Sequence, residues 1–126
     1  MSSDNKSGKL GEIYASGYLA KNGYTILETN YRTSFAEVDI VAMDNSCNTL
    51  CFIEVKTRKN KLYGRGADFI FKSKIQKMIL GARSYTAAKN IKSDIRFDVI
   101  EVYGTILPGG FSVSELNHIK NAFDVF

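Results

Sequence analysis

The chain has no tryptophan, one proline, one histidine and two cysteines among its 126 residues. Each shortage removes a class of protein. Cys47 and Cys51 lie four apart, and with the distant His118 they supply too few ligands for a structural zinc centre. Without a secretion signal a disulfide is not expected either, so both thiols are read as free, one of them buried as a small hydrophobe. Long apolar runs are also missing: the longest, 40–43 and 50–53, fall far below the roughly 20 residues that cross a bilayer. Residues 1–9 are polar, with no apolar signal-peptide segment. These absences lead to the expectation of a cytoplasmic protein with no membrane partner. Acid is scarce in one place. Between Lys56 and Arg83 there are nine Lys or Arg residues and a single acid, Asp68. That surplus suits a polyanion such as a phosphate backbone, although a solvated helix face would carry the same pattern.

What is present reads as one ordinary globular domain. Hydrophobic residues make up 44% and charged residues 24%, enough apolar material for a single core. Residues 1–7 are expected as a disordered lead and 8–126 as the domain. A first helix is expected over 8–22, capped by Ser7, with Leu10, Ile13, Tyr14, Gly17 and Tyr18 as its apolar stripe and Asn22-Gly23 as its stop. Strands follow over 24–31, 37–43 and 50–57. The turn formers Asp44-Asn45-Ser46-Cys47-Asn48 join the last two as an antiparallel hairpin. A basic, glycine-containing loop with Gly64 and Gly66 leads to a second helix ending near 89, striped by Ile75, Met78, Ile79, Ala82 and Tyr85 or Thr86. A fourth strand over 95–103 alternates, with Arg96 and Asp98 paired on one face. After Pro108-Gly109-Gly110 come a short strand and a tail packed by Ile119, Phe123 and Phe126, with His118 as a packing residue. Helix, three strands, helix, strand is a mixed α/β arrangement of helices on a central sheet.

The chemistry concentrates in the hairpin. Strand side chains alternate with period two, so Leu50, Phe52, Glu54 and Lys56 share one face. A glutamate and a lysine inside an apolar strand need a reason, because burying unpaired charge is costly. On the neighbouring strand Glu37, Asp39, Val41 and Met43 are expected to share a face. The hairpin then brings Asp39 beside Glu54. Two such carboxylates repel, and Mg²⁺ resolves the conflict with one or two carboxylates, several waters and substrate phosphate. Lys56 beside them would position the attacking water or neutralise charge on the phosphate. A Glu54–Lys56 surface ion pair is the plainer alternative. Glu12, on the first helix beside the small Ala15 and Ser16, is a candidate third acid.

The run E-V-D, a turn, then I-E-V-K resembles the core motif of the PD-(D/E)xK nuclease superfamily, which includes restriction enzymes and Holliday junction resolvases. The resemblance implies a restriction-endonuclease-like three-layer fold, a mixed central sheet flanked by helices. It implies Asp39 and Glu54 as metal ligands, Lys56 as the catalytic lysine, and Glu12 as the added glutamate of the resolvase branch. Over nearly its whole length the chain also resembles the YraN-like family of uncharacterised bacterial proteins. The matching segments are G-E-I-Y-A-S-G-Y-L (11–19), G-Y-T-I-L (23–27), N-Y-R (30–32), A-E-V-D-I-V-A-M-D (36–44), F-I-E-V-K-T-R (52–58), R-F-D-V-I-E-V (96–102) and H-I-K-N-A-F (118–123). Two positions depart from that family: Ala36 stands where glycine is usual, and Asp68 where glutamate is common.

The function expected is a metal-dependent endonuclease using Mg²⁺ or Mn²⁺ on DNA, with branched or repair intermediates as candidate substrates. Arg32, Arg58, Lys59, Lys61, Arg65, Lys74 and Gln76 are its candidate nucleic-acid contacts. The alternative is a nucleic-acid-binding module that keeps the fold without cleaving on its own. A third reading is an interaction protein whose acidic pair is structural. If the chain cuts junctions, a two-fold homodimer is expected.

Overall fold

The computed structural model describes residues 3–59 and 72–123. The elements in order are α1 (Ser3–Lys21), β1 (Tyr24–Arg32), β2 (Glu37–Asp44), β3 (Thr49–Arg58), α2 (Lys72–Lys89), β4 (Asp94–Leu107) and β5 (Gly110–Ile119). The strands form one sheet in the order β1-β2-β3-β4-β5. The β3–β4 pair is parallel, and the other three pairs are antiparallel. A parallel pair needs a crossover, and α2 supplies it.

The helices cover opposite faces of the sheet. Ala15 and Leu19 of α1 pack with Ile40, Ala42, Cys51, Ile53, Val55, Ile100 and Val102. Met78, Ala82 and Tyr85 of α2 pack with Val38, Val41, Leu50, Phe52 and Phe97. β3 is covered on both sides, which explains its unbroken apolar run from Leu50 to Ile53. A glycine seats each helix. A Cβ on Gly11 would collide with the Thr57 hydroxyl, and one on Gly81 would lie 2.6 Å from Val38 Cγ2. This is the three-layer mixed-sheet arrangement of the restriction-endonuclease-like fold.

Four expectations change. The helix begins at Ser3, so residues 3–7 extend it instead of forming a disordered lead, and Ser7 lies inside it. No proline stands in that stretch to stop it. The stripe on α1 is also different. Ile13, Tyr14 and Gly17 face out, while Gly11, Ala15 and Leu19 are buried. The small Gly11 and Ala15 at i and i+4 bring the helix backbone close to the sheet, and Leu19 at i+8 fills the core beyond them. The larger apolar side chains are displaced from that face, so hydrophobic periodicity misleads here.

The third change is in β2. Val38 and Val41 both join the α2 cluster, whereas Ile40 and Ala42 join the α1 cluster. Strict alternation is therefore broken between Val38 and Ile40, at Asp39. Thr29 pairs with Ile40 and Tyr31 with Val38, so Asn30 stands opposite Asp39. Asn30 is in the left-handed region at φ 53°, a conformation that asparagine tolerates better than most residues. Fourth, β5 is a full ten-residue strand rather than a short one. The tail packs through Phe123, stacked on Phe97 at 5.0 Å between ring centroids; Phe126 lies outside the described residues. Cys47 and Cys51 are both free, the second buried. Among the described residues, no helix is long and apolar enough to cross a membrane.

Candidate functional site

The β2–β3 ladder runs from Asp44↔Thr49 to Ile40↔Ile53 and goes no further. The next two residues in register are Asp39 and Glu54. β3 meanwhile continues along β4 to Arg58↔Tyr103. The two hairpin strands thus part at the acidic pair. In the gap, Asp39 Oδ2 accepts the Val55 N–H at 2.8 Å, a side chain standing where a backbone carbonyl would be in a continuing ladder.

Glu54 is 3% exposed and surrounded by charge. Lys56 Nζ lies 3.3 Å from its Oε2, and Lys74 Nζ, from the first turn of α2, lies 3.3 Å from its Oε1. Oε1 nevertheless makes no hydrogen bond; the nearby ammonium gives attraction without the alignment of a hydrogen bond. Lys74 bonds instead to Glu37 Oε2 at 2.9 Å, and Glu37 also meets Arg32 at 3.4 Å. Burial, and then the Asp39 charge, push the Glu54 carboxyl up to about 7 against the pull of Lys74 and Lys56. Burial works against the Lys74 ammonium, but the Glu37 hydrogen bond and the charges of Glu54 and Asp39 outweigh it and hold its pKa above the ordinary value. The Lys74 hydrogen bond brings the Glu37 carboxyl below its usual range.

Glu12 approaches from the α1 side. It is half-buried, and burial followed by the Asp39 charge raises its pKa, opposed by a hydrogen bond from Asn30. It lines a cavity of about 540 Å³ with Ser7, Gly8, Val55, Lys56, Thr57, Arg58 and Lys59. Asp39, in the gap between the strands, is the residue that both Glu12 and Glu54 feel. The three acids do not close into a ligand cage: among the described residues no three His, Cys, Asp or Glu side chains are grouped as a metal site. The donor set that fits a divalent cation is the Asp39–Glu54 pair, two carboxylates with a buried oxygen lacking a hydrogen bond. That suffices for Mg²⁺, which keeps most of its water.

The structure brings Asp39, Glu54 and Lys56 together as the motif implies, and draws Lys74 into the same cluster. Arg32 is exposed at the rim. Arg58 Nη1 donates to the Thr57 carbonyl at 3.3 Å, and Lys59 is exposed on the cavity wall. Gln76 is exposed on α2 and does not share the face of Lys74, because residues two apart on a helix point in different directions. Lys61, Arg65, Gly64, Gly66 and Asp68 lie outside the described residues. Ala36 is compatible with its site: it closes a turn in which the Thr33 N–H donates to its carbonyl at 3.0 Å, and its φ is not in the left-handed region. Sequence reasoning missed Glu37 as the partner that holds Lys74. It also missed Phe35, a residue 78% exposed on the β1–β2 turn.

Fold and charge arrangement together describe an α/β domain with an acidic pair and lysines at a strand divergence. The chain belongs to the uncharacterised protein family UPF0102, whose model matches residues 11–102; this is the same family as the YraN-like proteins. It is 39% identical to a UPF0102 protein of Caldanaerobacter subterraneus subsp. tengcongensis, covering 92% of this chain and 93% of the relative. It is 40% identical to one of Clostridium kluyveri over 99% and 100% of the two chains. With one of Clostridium botulinum the identity is 42%, over 94% of each.

Proposed function

We propose that the chain is a metal-dependent endonuclease that hydrolyses phosphodiester bonds of DNA. The observation that carries this is the Asp39–Glu54 pair in the β2–β3 gap, with an ammonium on each side of a buried carboxylate. Asp39 and Glu54 would hold Mg²⁺ or Mn²⁺, which when bound supplies Lewis-acid stabilisation of charge on the phosphoryl group. Lys56 Nζ, at the open end of β3, orients the attacking water or neutralises developing phosphate charge. Lys74, anchored by Glu37, fixes the orientation of the Glu54 carboxylate. Glu12 stands at the cavity as a supporting acid, reaching the pair through Asp39. Arg58 and Lys59 line the cavity, Arg32 lies exposed beside Glu37, and all three suit the neighbouring phosphates. Cutting both strands of a junction would require a two-fold pair of chains.

One observation favours a second reading, a nucleic-acid-binding module that does not cleave alone. Lys56 and Lys74 already compensate Glu54 in part, so a cation must compete with them. A labelled panel of single strand, duplex, flap and four-way junction, with Mg²⁺ or Mn²⁺ against EDTA, decides between the two. Metal-dependent cutting by the wild type, lost by on the order of 10³-fold or more in Asp39→Ala and Lys56→Ala, is expected. Saturated binding with no cutting would overturn the nuclease reading in favour of the binding module.

A further inference from the structure

Phe35 is the most exposed large apolar side chain among the described residues, at 78%. It is not at a frayed end. The turn that carries it is pinned by the Thr33 N–H to the Ala36 carbonyl at 3.0 Å and by the Phe35 N–H to Thr33 Oγ1 at 3.2 Å. The next residue, Ala36, is 6% exposed and ties the turn to the core. The ring is therefore held out in water by an ordered backbone, at a standing cost in exposed apolar area.

Its surroundings say what would cover it. Arg32, three residues before, is exposed. Lys77 of α2 is exposed as well, and its charge acts on Glu37, two residues after Phe35. Asp39 follows Phe35 by four residues, at most about 13 Å of extended chain. An exposed aromatic face, with exposed cations three residues before it and on the helix that meets Glu37, next to a site suited to phosphodiesters, combines the two elements of a single-strand platform: charge that follows the backbone and a ring on which a base stacks. Bases in a duplex already have stacking partners on both faces, so the ring selects an unpaired one.

We infer that Phe35 is a base-stacking residue that receives an unpaired nucleotide next to the Asp39–Glu54 pair, making single-stranded segments or branch points the preferred nucleic acid. The inference rests on the proposed function for the nature of the ligand, and its test is read from binding, independently of cleavage. The probe is a short oligonucleotide carrying one 2-aminopurine, single-stranded or annealed, titrated in EDTA with wild type, Phe35→Ala, Phe35→Leu and Phe35→Trp. Wild type binds the single strand more tightly than the duplex and changes the 2-aminopurine fluorescence. Phe35→Ala weakens single-strand binding about fivefold to a hundredfold, leaves duplex binding unchanged and abolishes the fluorescence change. Phe35→Trp restores both, and Phe35→Leu restores neither.

Single-strand binding by Phe35→Ala equal to wild type overturns the inference, as does equal loss on both probes or full rescue by leucine. So does a wild-type dimer that Phe35→Ala dissolves with oligonucleotide binding intact, since the ring would then serve self-association. If stacking is seen but no substrate in the cleavage panel is cut, the endonuclease reading fails and this inference stands. If the panel is cut but stacking is absent, the reverse holds.

Discussion

Two of the sheet's buried acidic centres, one around Asp98 and one around Glu54, are built on opposite terms. At the start of β4, Asp98 accepts from Arg96 Nε at 2.9 Å, Arg96 Nη2 at 3.0 Å and the Asn121 N–H at 3.0 Å. His118 Nε2 lies 2.8 Å away, and its Nδ1 is 2.9 Å from the Tyr18 hydroxyl. An ionised Asp98 accepts a hydrogen bond from Nε2–H, and in that tautomer Nδ1 accepts from the tyrosine hydroxyl. Arg96 also donates to Asp44 at 3.1 Å and to the Tyr24 hydroxyl at 2.8 Å. Burial opposes ionisation of both acids, but hydrogen bonds from His118 and Arg96 to Asp98, and from Ser46 and Arg96 to Asp44, bring both below the usual carboxylate range. On β3, where Ile53 pairs with Asp98, the next residue Glu54 is instead raised, and so is Glu12 of α1. The same residue types in the same sheet thus divide into a satisfied network and an unsatisfied one. The first holds α1, β4 and the tail together, so His118 is a network residue and not only packing. The second retains capacity for a cation that the fold does not supply.

The sharpest way to break this comparison is to remove Asp98. Asp98→Ala leaves the partly buried Arg96 with part of its partners gone and should cost about 3–5 kcal/mol in urea unfolding. A loss below about 1 kcal/mol would mean that the network is not structural.

A smaller effect of opposite sign is expected from Glu54→Gln. The carboxyl titrates at 4.5 in the unfolded chain, and burial pushes it up to about 7 in the folded one. The folded state therefore binds the extra proton between those values, and wild-type stability falls as pH rises from 4.5 to about 7. Glu54→Gln lacks that slope, so above pH 7 it should exceed wild type by on the order of 1–3 kcal/mol, with the gain vanishing below pH 4.5. Asp98 behaves inversely: its contribution is present above 3.8 and is lost as pH falls through its lowered folded value. A flat difference between Glu54→Gln and wild type across this range would show that burial does not strain Glu54.

Much of the hairpin was legible because its signals are local: period-two alternation in Leu50–Lys56 and turn formers at Asp44–Asn48. The Arg96–Asp98 pair was legible for the same reason. What was not legible depended on contacts distant in sequence. The buried face of α1 is set by Gly11 meeting Thr57, not by the placement of Ile13 and Tyr14. Asp39 turns into the gap opposite Asn30, a residue of the next strand in the left-handed conformation, and neither is marked by a local pattern. Lys74 reaches Glu54 only through the docking of α2 over β3, and no spacing in the chain reports that. Nothing in the sequence around Phe35 marks it as a ring that projects from the surface; that depends on the turn between β1 and β2.

The central claim is that the unsatisfied centre around Glu54 is a cation site, and calorimetric titration with Mn²⁺ at pH 8 addresses it most directly. The account predicts one site in the wild type, lost in Asp39→Asn and Glu54→Gln while both variants stay folded, and retained in Lys92→Ala, an exposed position between α2 and β4. Absence of binding in the wild type, or undiminished binding in Glu54→Gln, would contradict it.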